Sequence, residues 1–385
     1  MNRLLIITRW YLPATKSGGT VRSLSALVNG LKNHFEITIL TSDRDLGASK
    51  PYENIEFDTL LHKNGINIVY LSKLNAKSIK KYIDEINPDL IYINSFFDIM
   101  TQSFMLLRMI GKVKSNVVIS PRGELAKGSL SIKSTKKRVY LFLYKLFNLS
   151  NNIVFHTTSK KDRENVKTMF PANEVVCIQN PKEVNNREYT LPFKEEAHLK
   201  MVFISRIVPV KNLLFAIELL TQKRFAGEII FDIYGSDEDK SYFAKCQQAI
   251  KKLPDNVKVT YHGFLEPEKI SETLSQYHLF FLPTKGENFG HAIVEAMEVG
   301  IIPLISDATP WQNLEKFDAG FSLSLDNTKD FMRAIEKVLQ LDNENFVTCS
   351  CNVKEYISKA IDNQKTMGEY RTFFNHFSKG EKRDG

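Results

Sequence analysis

Residues 283–305 have the sequence PTKGENFGHAIVEAMEVGIIPLI, and this stretch decides how the rest of the chain is interpreted. Apolar runs at both ends predict strands, and between them a helix begins near Gly290 and stops at Gly300. The first N–H groups of such a helix can bind an anion. A carboxylate can accept from both hydroxyls of a vicinal diol. The stretch therefore predicts a diphosphate at the helix start, a ribose near Glu295 and a sugar near Glu287. The alternative is an ordinary helix start with a favourable acid nearby.

Short β-rich runs alternate with helical periods on both sides of this stretch. Strands are predicted at 3–8, 35–41, 66–71, 89–94, 116–120 and 153–156, and again at 201–205, 228–234, 257–261, 278–282, 301–306 and 320–324. The alternation indicates α/β domains with parallel sheets covered on both faces. The predicted domains are 1–182 and 200–342, joined by a polar linker at 183–199, with C-terminal helices and a charged, disordered tail in 343–385. Two such halves make a cleft between the carboxyl ends of their sheets, where ligands bind in these folds.

Composition limits the class of protein. The length of 385 residues favours two domains. The excess of 52 Lys and Arg over 44 Asp and Glu favours an anionic partner, which can be a phosphate, a nucleic acid or an acidic membrane. Cys177, Cys246, Cys349 and Cys351 show no C-x-x-C spacing, which favours reduced thiols over disulfides or a zinc site. We found no secretory signal and no apolar run of about 20 residues, so a cytoplasmic protein is expected.

The residues of 283–305 resemble the E-x7-E signature of family 4 retaining glycosyltransferases. Other segments occur in that family's order: 205–213 resembles its R-x-x-x-x-K-x-L element, 261–264 the element near the nucleobase, and 307–311 a segment ending in Pro-Trp. Asn180-Pro181 matches a family motif in part. The resemblance covers most of the chain and is strongest from about 200 to 325. It implies the GT-B fold, in which two Rossmann-like domains face each other across a cleft.

The resemblance and the chemistry of the residues together identify candidate residues for the active site. We expect catalytic roles for Glu287, Arg206, Lys211 and Arg122, and donor binding by Gly18, Gly19, Gly263, Asn288, Phe289, Gly290, His291 and Glu295. His156 and Asn180 are further candidates. Arg206 and Lys211 follow the first strand of the second domain, where fixed cations can stabilise charge that grows on a leaving diphosphate. Taken alone, a basic pair in a loop would be expected to lie on the solvated surface without a catalytic role. No D-x-D-like motif stands out, so neither a metal nor another cofactor is expected.

The first domain supplies weaker signals. In Ser17-Gly18-Gly19-Thr20, two glycines allow close approach of a ligand to the backbone. Many members of the family carry a histidine near 120–124, whereas this chain has Ser-Pro-Arg-Gly-Glu, similar to a subgroup found in polysaccharide assembly. Arg122 is therefore the candidate in that loop. His156 ends a predicted strand, and a purely structural hydrogen-bonding role is its alternative.

The resemblance implies a retaining transferase that moves a sugar from UDP or GDP to a lipid-linked oligosaccharide in bacterial surface polysaccharide biosynthesis, such as O-antigen, lipopolysaccharide or capsule. A front-face route, in which the leaving phosphate deprotonates the acceptor, is implied as well. The alternatives are a sugar-nucleotide epimerase of the same architecture and a basic nucleic-acid-binding protein. No recognisable nucleic-acid-binding motif accompanies the charge, and no G-x-G-x-x-G follows the first strand as a dehydrogenase would need.

One stretch of the first domain suggests a membrane contact. Residues 127–145 contain six Lys or Arg and no acid, and residues 139–147 are apolar or aromatic except for Lys145. At the headgroup boundary of an anionic membrane, Lys and Arg side chains can contact lipid phosphates while aromatic rings insert just beneath them. We therefore expect peripheral attachment to the inner face of the cell membrane. The alternative is a core helix with a solvated basic side.

Overall fold

The computed structural model describes residues 1–16, 18–126, 129–130, 134–182 and 187–379. The chain divides into two compact units, Met1–Val184 with Asn363–Gly385, and Asn185–Asp362. The segment predicted as one C-terminal region, 343–385, is thus divided between the two units. The predicted disordered tail beyond 379 lies outside the described residues, as do the first four residues of the predicted linker, 183–186.

In its described residues the first unit is a sheet covered by helices. Its strands are β1 (Asn2–Ile7), β2 (Phe35–Ser42), β3 (Leu61–Lys63), β4 (Ile66–Leu71), β5 (Leu90–Asn94), β6 (Asn116–Ser120), β7 (Ile153–Thr157) and β8 (Val175–Cys177). The strand order is β3-β4-β2-β1-β5-β6-β7-β8, and each pair is parallel except β3 with β4. Its helices are α1 (Gly19–Leu31), α2 (Ala76–Ile86), α3 (Ile99–Met109), α4 (Ser134–Leu146), α5 (Lys160–Met169) and α12 (Asn363–Lys379). The short strands β3 and β8 were not predicted.

The two faces of this sheet bury separate apolar layers, because alternate residues of a strand point to opposite faces. Leu5 of β1 belongs to the layer under α2, α3, α4 and α5, whereas Leu4 belongs to the layer under α1 and α12. Phe374 of α12 is fully buried in the second layer. A Cβ on Gly30 of α1 would collide with Met367 of α12, so this glycine leaves room for the last helix. Burial of α12 explains why the C-terminal residues belong to the first unit.

The second unit is a six-stranded parallel sheet. Its strands are β9 (His198–Ile204), β10 (Glu228–Tyr234), β11 (Val257–Gly263), β12 (Leu279–Leu282), β13 (Ile302–Ser306) and β14 (Phe321–Leu323). Its helices are α6 (Leu213–Thr221), α7 (Lys240–Ile250), α8 (Ile270–Leu274), α9 (His291–Val299), α10 (Thr328–Leu339) and α11 (Asn343–Ala360), with 3-10 turns at Pro267–Lys269 and Leu314–Phe317. The strand order β11-β10-β9-β12-β13-β14 reverses direction between β9 and β12. Ligands bind outside the carboxyl ends of strands at such a switch point.

Lys194 ties the end of the predicted linker to the second unit. Its side chain is 1% exposed, and Nζ donates to the carbonyls of Glu195, Leu339 and Leu341 at 2.6, 2.9 and 3.0 Å. Burial lowers the pKa of Lys194 to about 8. An ammonium group suits these carbonyls because the last C=O groups of α10 lack partners within the helix. The residues near Lys194 are therefore a part of the second unit, and not a free linker.

Candidate active site

Two loops meet at the switch point of the second sheet. One follows β9 and the other follows β12. The N–H of Lys285 donates to the carbonyl of Val210 at 2.7 Å, and Oγ1 of Thr284 donates to the same carbonyl at 3.1 Å. The loop after β9 and the loop that begins 283–305 are thus fixed to each other by their backbones. This contact decides which side chains can meet at the carboxyl edge.

The two loops place Lys211 against Glu287. Nζ of Lys211 donates to Oε1 of Glu287, and the two side chains are 15% and 13% exposed. The backbone N–H of Glu287 donates to the carbonyl of Ala308 at 3.0 Å, which holds the acid in place. A carboxylate has a second oxygen that can accept a hydroxyl proton while the first remains on the ammonium. The predicted catalytic cation and the predicted sugar-binding acid therefore form one charged pair.

Arg206 has a different partner. Its side chain is 51% exposed, and Nη1 lies 3.3 Å from Oε2 of Glu238 in the turn after β10. The backbone beside it is fixed, since the N–H of Ile207 donates to the carbonyl of Ser236 at 2.8 Å. An exposed ion pair contributes little to stability, so the guanidinium can exchange Glu238 for a phosphate at small cost. Arg206 and Lys211 thus lie on one loop, but their ion pairs are separate.

The helix start predicted at Gly290 is present. Gly290 has φ 77°, α9 begins at His291 and ends before Gly300, and no side chain caps the first turn. A Cβ on Gly290 would lie 2.8 Å from Cδ1 of Ile293, so both the backbone and the packing require glycine. An uncapped helix start carries a partial positive charge and N–H groups directed at solvent or ligand. Glu295 is half-buried on this helix.

The loop residues just before α9 differ in their accessibility. Asn288 is half-buried, whereas Phe289 is 3% exposed and its ring centroid lies 5.6 Å from that of Trp311. Nε1 of Trp311 donates to the carbonyl of Phe289 at 2.6 Å, and the ring of His291 lies 4.7 Å from that of Phe289. The side chain of Phe289 therefore supports the loop from below, so a donor can reach its backbone but not its ring. Sequence reasoning had matched Trp311 as a motif without giving it this role.

Gly263 ends β11 at the same edge. It has φ 80°, and no atom lies within 4 Å of the position that a Cβ would take, so this side of the backbone is open. Its carbonyl accepts from the N–H of Gly235 at 2.7 Å. Backbone groups of β11 are thereby connected to the turn that carries Glu238.

In the first unit, Arg122 is the centre of a hydrogen-bond network. Nε donates to Oδ1 of Asn94 at 2.5 Å, Nη1 donates to Oδ1 of Asn180, and Nη2 lies 3.3 Å from Oη of Tyr92. Tyr92 in turn lies 2.9 Å from Nδ1 of His156. Three predicted residues, Arg122, Asn180 and His156, thus come together. Arg122 is half-buried with φ 53°, so its guanidinium is held by the fold before any ligand arrives.

His156 is fully buried and cannot touch a ligand in this structure. Nε2 lies 3.2 Å from the carbonyl of Ile178 and 3.2 Å from Oη of Tyr370. Because a carbonyl only accepts, Nε2 carries the proton and Nδ1 accepts from Tyr92. Burial first, and then the charge of Arg122, lower the pKa of His156 to about 3. The structure therefore supports the structural alternative for His156 and corrects its place among residues that could contact the donor.

The buried neutral histidine predicts a loss of stability in acid. The unfolded chain binds a proton at His156 below pH 6.5, whereas the folded first unit does not until about pH 3. Between pH 7 and pH 5 this one group should lower the free energy of unfolding by about 2 kcal/mol. Urea unfolding at both pH values measures the difference, which should shrink in His156→Gln. The exposed His198 gives the control: His198→Gln should keep the wild-type difference. An unchanged difference in His156→Gln would contradict the assignment.

Two anchoring acids of the first unit were missed by the sequence analysis. Glu124 is half-buried and accepts from Oγ of Ser95 at 2.8 Å and from the N–H groups of Phe96 and Phe97 at 2.7 and 2.9 Å. It thereby holds the turn after β5, where Ser95 has the strained φ of 145°. The segment 120–124 was singled out, but nothing in it shows that its glutamate turns inward.

The second anchoring acid holds the loop before α1. Oδ2 of Asp45 accepts from the N–H groups of Thr15 and Lys16 at 2.9 and 3.2 Å. Gly18 follows with φ 64°, α1 begins at Gly19, and no side chain caps that helix start. Ser17 lies outside the described residues. The two predicted glycines therefore stand at an uncapped helix start whose approach is fixed by a carboxylate.

Within residues 1–16, 18–126, 129–130, 134–182 and 187–379, no group of three or more His, Cys, Asp or Glu is placed to hold a metal ion. Over the same ranges, no helix combines the length and the apolar character needed to cross a bilayer.

Comparison with known proteins gives two family models and many similar structures. Residues 191–355 match the model of glycosyl transferases group 1, and residues 11–156 match the model of glycosyl transferase 4-like proteins. No curated protein sequence matches significantly. Among solved structures, sucrose-phosphate synthase from Thermosynechococcus elongatus has a TM-score of 0.74 at 15% identity, covering 98% of this chain and 99% of that one.

Two further structures are similar over nearly their whole length. HepE of Anabaena, solved with UDP and glucose, has a TM-score of 0.69 at 15% identity, covering 98% of this chain and 100% of that one. WaaG, described as a glycosyltransferase involved in lipopolysaccharide biosynthesis, has a TM-score of 0.67 at 12% identity, covering 96% of this chain and 99% of that one. At these identities the structures show a common fold of two Rossmann-like units, and the family models give the activity.

Proposed function

Because the chain belongs to the glycosyltransferases of the GT-B fold, we propose that it transfers a sugar, with retention, from UDP or GDP to a lipid-linked oligosaccharide of a bacterial surface polysaccharide. The observation that carries the proposal is the Lys211–Glu287 pair beside the uncapped start of α9. HepE binds UDP and glucose, and WaaG is involved in lipopolysaccharide biosynthesis. These two similar proteins support the donor class and the acceptor class respectively.

Four residues of the second unit have a task in this proposal. The diphosphate binds at the start of α9 and is met by the cations of Lys211 and Arg206, which stabilise the charge that grows as the bond from sugar carbon to phosphate oxygen breaks. The second oxygen of Glu287 accepts from a sugar hydroxyl, and Glu295 accepts from the ribose. The leaving phosphate takes the proton of the acceptor hydroxyl as the new bond forms. Lysine, arginine and the helix dipole then do the work that a divalent ion does elsewhere.

A transfer assay tests this function. The protein is incubated with radiolabelled UDP- and GDP-sugars and a lipid-linked oligosaccharide fraction, and label is followed into the organic phase and into free sugar. We expect at least one donor to lose its sugar with release of the nucleoside diphosphate. Conversion of the donor into an epimer that stays attached to the nucleotide would favour the epimerase instead.

We further propose that the outer side of α4 docks on an anionic membrane, which would bring a lipid-linked acceptor within reach. The helix buries Tyr144, and its other side is apolar yet exposed: Val139 is 55%, Phe142 64% and Leu146 62% exposed. Positions 139, 142 and 146 form one stripe at helical spacing. One side of this helix therefore lies in the core, and the other side is exposed.

Basic residues border this stripe. Lys136, Arg138 and Lys145 are exposed on α4, while Lys127 and Lys133 lie outside the described residues. Each cation near an anionic leaflet contributes about 1 kcal/mol, and buried rings and leucines add an apolar contribution. Together they support reversible attachment through the α4 surface, defined as Lys136, Arg138, Phe142, Lys145 and Leu146.

Vesicle co-sedimentation tests the α4 surface. Replacing Lys136, Arg138 and Lys145 by Ser should weaken binding to anionic vesicles by about 100-fold and remove most of its salt dependence. Phe142→Ser with Leu146→Ser should weaken it by about 10- to 100-fold while the salt dependence remains. Phe317→Ser with Val347→Ser, at exposed apolar positions of the second unit, is the matched control and should bind like wild type. Equal binding by all variants would remove this proposal.

A further inference from the structure

The first unit contains a polar cavity that has no role in the site described above. Its volume is about 660 Å³. Asn116 begins β6, Ile153 begins β7 and Glu174 directly precedes β8, so the cavity lies at the amino ends of these three strands. Arg122 follows the other end of β6, a strand that spans about 13 Å. The cavity and Arg122 therefore lie at opposite edges of the first sheet.

The wall of this cavity is rich in amide side chains. Glu174 and His376 are the only ionisable side chains among the described residues that line it. An anionic ligand such as a nucleotide would need cations, and an apolar ligand would need a mainly apolar lining. The lining therefore suits a neutral ligand with many hydrogen-bonding groups. Five of the lining residues are asparagines: Asn116, Asn148, Asn151, Asn152 and Asn173.

Two of these amides hold the walls of the cavity in place. Nδ2 of Asn173 donates to the carbonyls of Ser150 and Ile153 at 2.6 and 2.9 Å, which fixes the turn between α4 and β7. Nδ2 of Asn116 donates to the carbonyl of Phe377 at 2.8 Å, which fixes the end of α12 beside β6. Because the walls are set before a ligand arrives, binding has a smaller cost in conformational entropy.

The other three amides are accessible to a ligand. Asn148, Asn151 and Asn152 are exposed, and their side chains make no hydrogen bond to any residue that the structure describes. A left-handed backbone accounts for two of these asparagines, since φ is 48° at Asn148 and 54° at Asn152. It does not account for Asn151. Each amide can both donate to a hydroxyl and accept from one.

Aromatic rings form another part of the wall. Phe377 is half-buried, and the ring of His376 lies 4.8 Å from its ring at an interplanar angle of 85°. A pyranose ring has hydroxyls around its rim and C–H groups on its faces. Amides match the hydroxyls, and aromatic rings offer an apolar surface to the C–H groups. The lining is thus complementary to both kinds of saccharide surface.

We propose that this cavity binds a neutral saccharide, at a site separate from the one where the sugar donor reacts. The inference goes beyond the proposed function and does not depend on it, because none of the residues assigned to the donor lines the cavity. In a glycosyltransferase, such a site would keep one part of a glycan on the protein and so raise the effective concentration of the rest of that glycan.

Titration with neutral trisaccharides tests the proposal. Maltotriose, cellotriose and N,N′,N″-triacetylchitotriose are each added to the full chain, and binding is followed by calorimetry and by NMR of protein labelled with ¹⁵N at asparagine. We expect at least one trisaccharide to bind equally well with and without UDP. It should shift the side-chain amide signals of Asn148, Asn151 and Asn152, which are identified by their loss in single variants.

A triple variant removes the three accessible amides. In Asn148→Gly with Asn151→Ala and Asn152→Gly, glycine keeps the left-handed backbone at two positions. Binding should weaken by about 10- to 100-fold because several hydrogen bonds are lost. Cleavage of the sugar donor should keep its wild-type rate. Asn54→Gly with Asn64→Gly is the matched control, at exposed left-handed positions outside the cavity, and should bind like wild type.

Three outcomes would overturn the saccharide site and leave the proposed function standing. Folded wild type could bind none of the three trisaccharides, the triple variant could bind them like wild type, or UDP could displace the bound saccharide and so place it in the donor site. Failure of folded wild type to cleave any donor, with saccharide binding intact, would overturn the proposed function alone.

Discussion

Lys211→Met should lower kcat/KM by about 10²- to 10³-fold, the range found when one preorganised charge stabiliser is removed from an active site. The physical reason is that negative charge appears on the diphosphate only as the sugar bond breaks, so the ammonium contributes most in the transition state. The structure adds a second consequence. Glu287 loses its cation, so Lys211→Arg, which keeps the charge, should retain more activity than Lys211→Met.

Arg206→Met should show a loss of similar size with a smaller effect on stability, because its side chain is half exposed and its pair with Glu238 is at the surface. Two measurements on the same samples separate the two variants: the rate of nucleoside diphosphate release reports activity, and thermal unfolding reports stability. Addition of EDTA should leave the wild-type rate unchanged. Loss of turnover with a chelator, restored by Mg²⁺, would contradict charge stabilisation by these two cations.

Glu295→Ala should weaken donor binding strongly, whereas Glu287→Ala should bind the donor and transfer its sugar slowly. A carboxylate on the ribose acts equally in the ground state and the transition state, so its loss weakens binding. A carboxylate on the reacting sugar acts where charge changes, so its loss lowers kcat. We expect about 10²-fold weaker binding of nucleoside diphosphate by Glu295→Ala, as for lost hydrogen bonds to a charged group.

Calorimetric titration of nucleoside diphosphate into both variants measures this difference. Glu298→Ala is the control. Glu298 lies about two turns from the start of the same helix, so this variant should bind like wild type. Wild-type affinity in Glu295→Ala would remove the ribose assignment.

Much of the second unit could be predicted from its sequence because local signals and tertiary structure agree there. The apolar runs around 283–305 predict β12 and β13, and Gly290 and Gly300 mark the limits of α9. The same spacing puts Glu287 at the carboxyl edge. The partner of Lys211 was not predicted, since the pair is 76 residues apart and depends on the backbone contact between two loops.

The first unit was harder to predict because its key contacts are long-range. Arg122 reaches Asn180 and the buried Tyr92, and Tyr370 from the last helix reaches His156. The boundary at 363 likewise follows from packing of α12 on the first sheet, which no local composition indicates. Buried polar groups such as Lys194 have no sequence signature, because a lysine in a polar stretch is usually exposed.

The most direct test of the central claim is a proton NMR time course of folded protein with a panel of UDP- and GDP-sugars in the presence of EDTA. We expect at least one α-linked donor to be cleaved, nucleoside diphosphate to appear with it, and the sugar to be released first as the α-anomer. Lys211→Met should remove most of this reaction. If folded wild type cleaves no donor, or if the β-anomer appears first, the assignment of a retaining, metal-independent transferase is wrong.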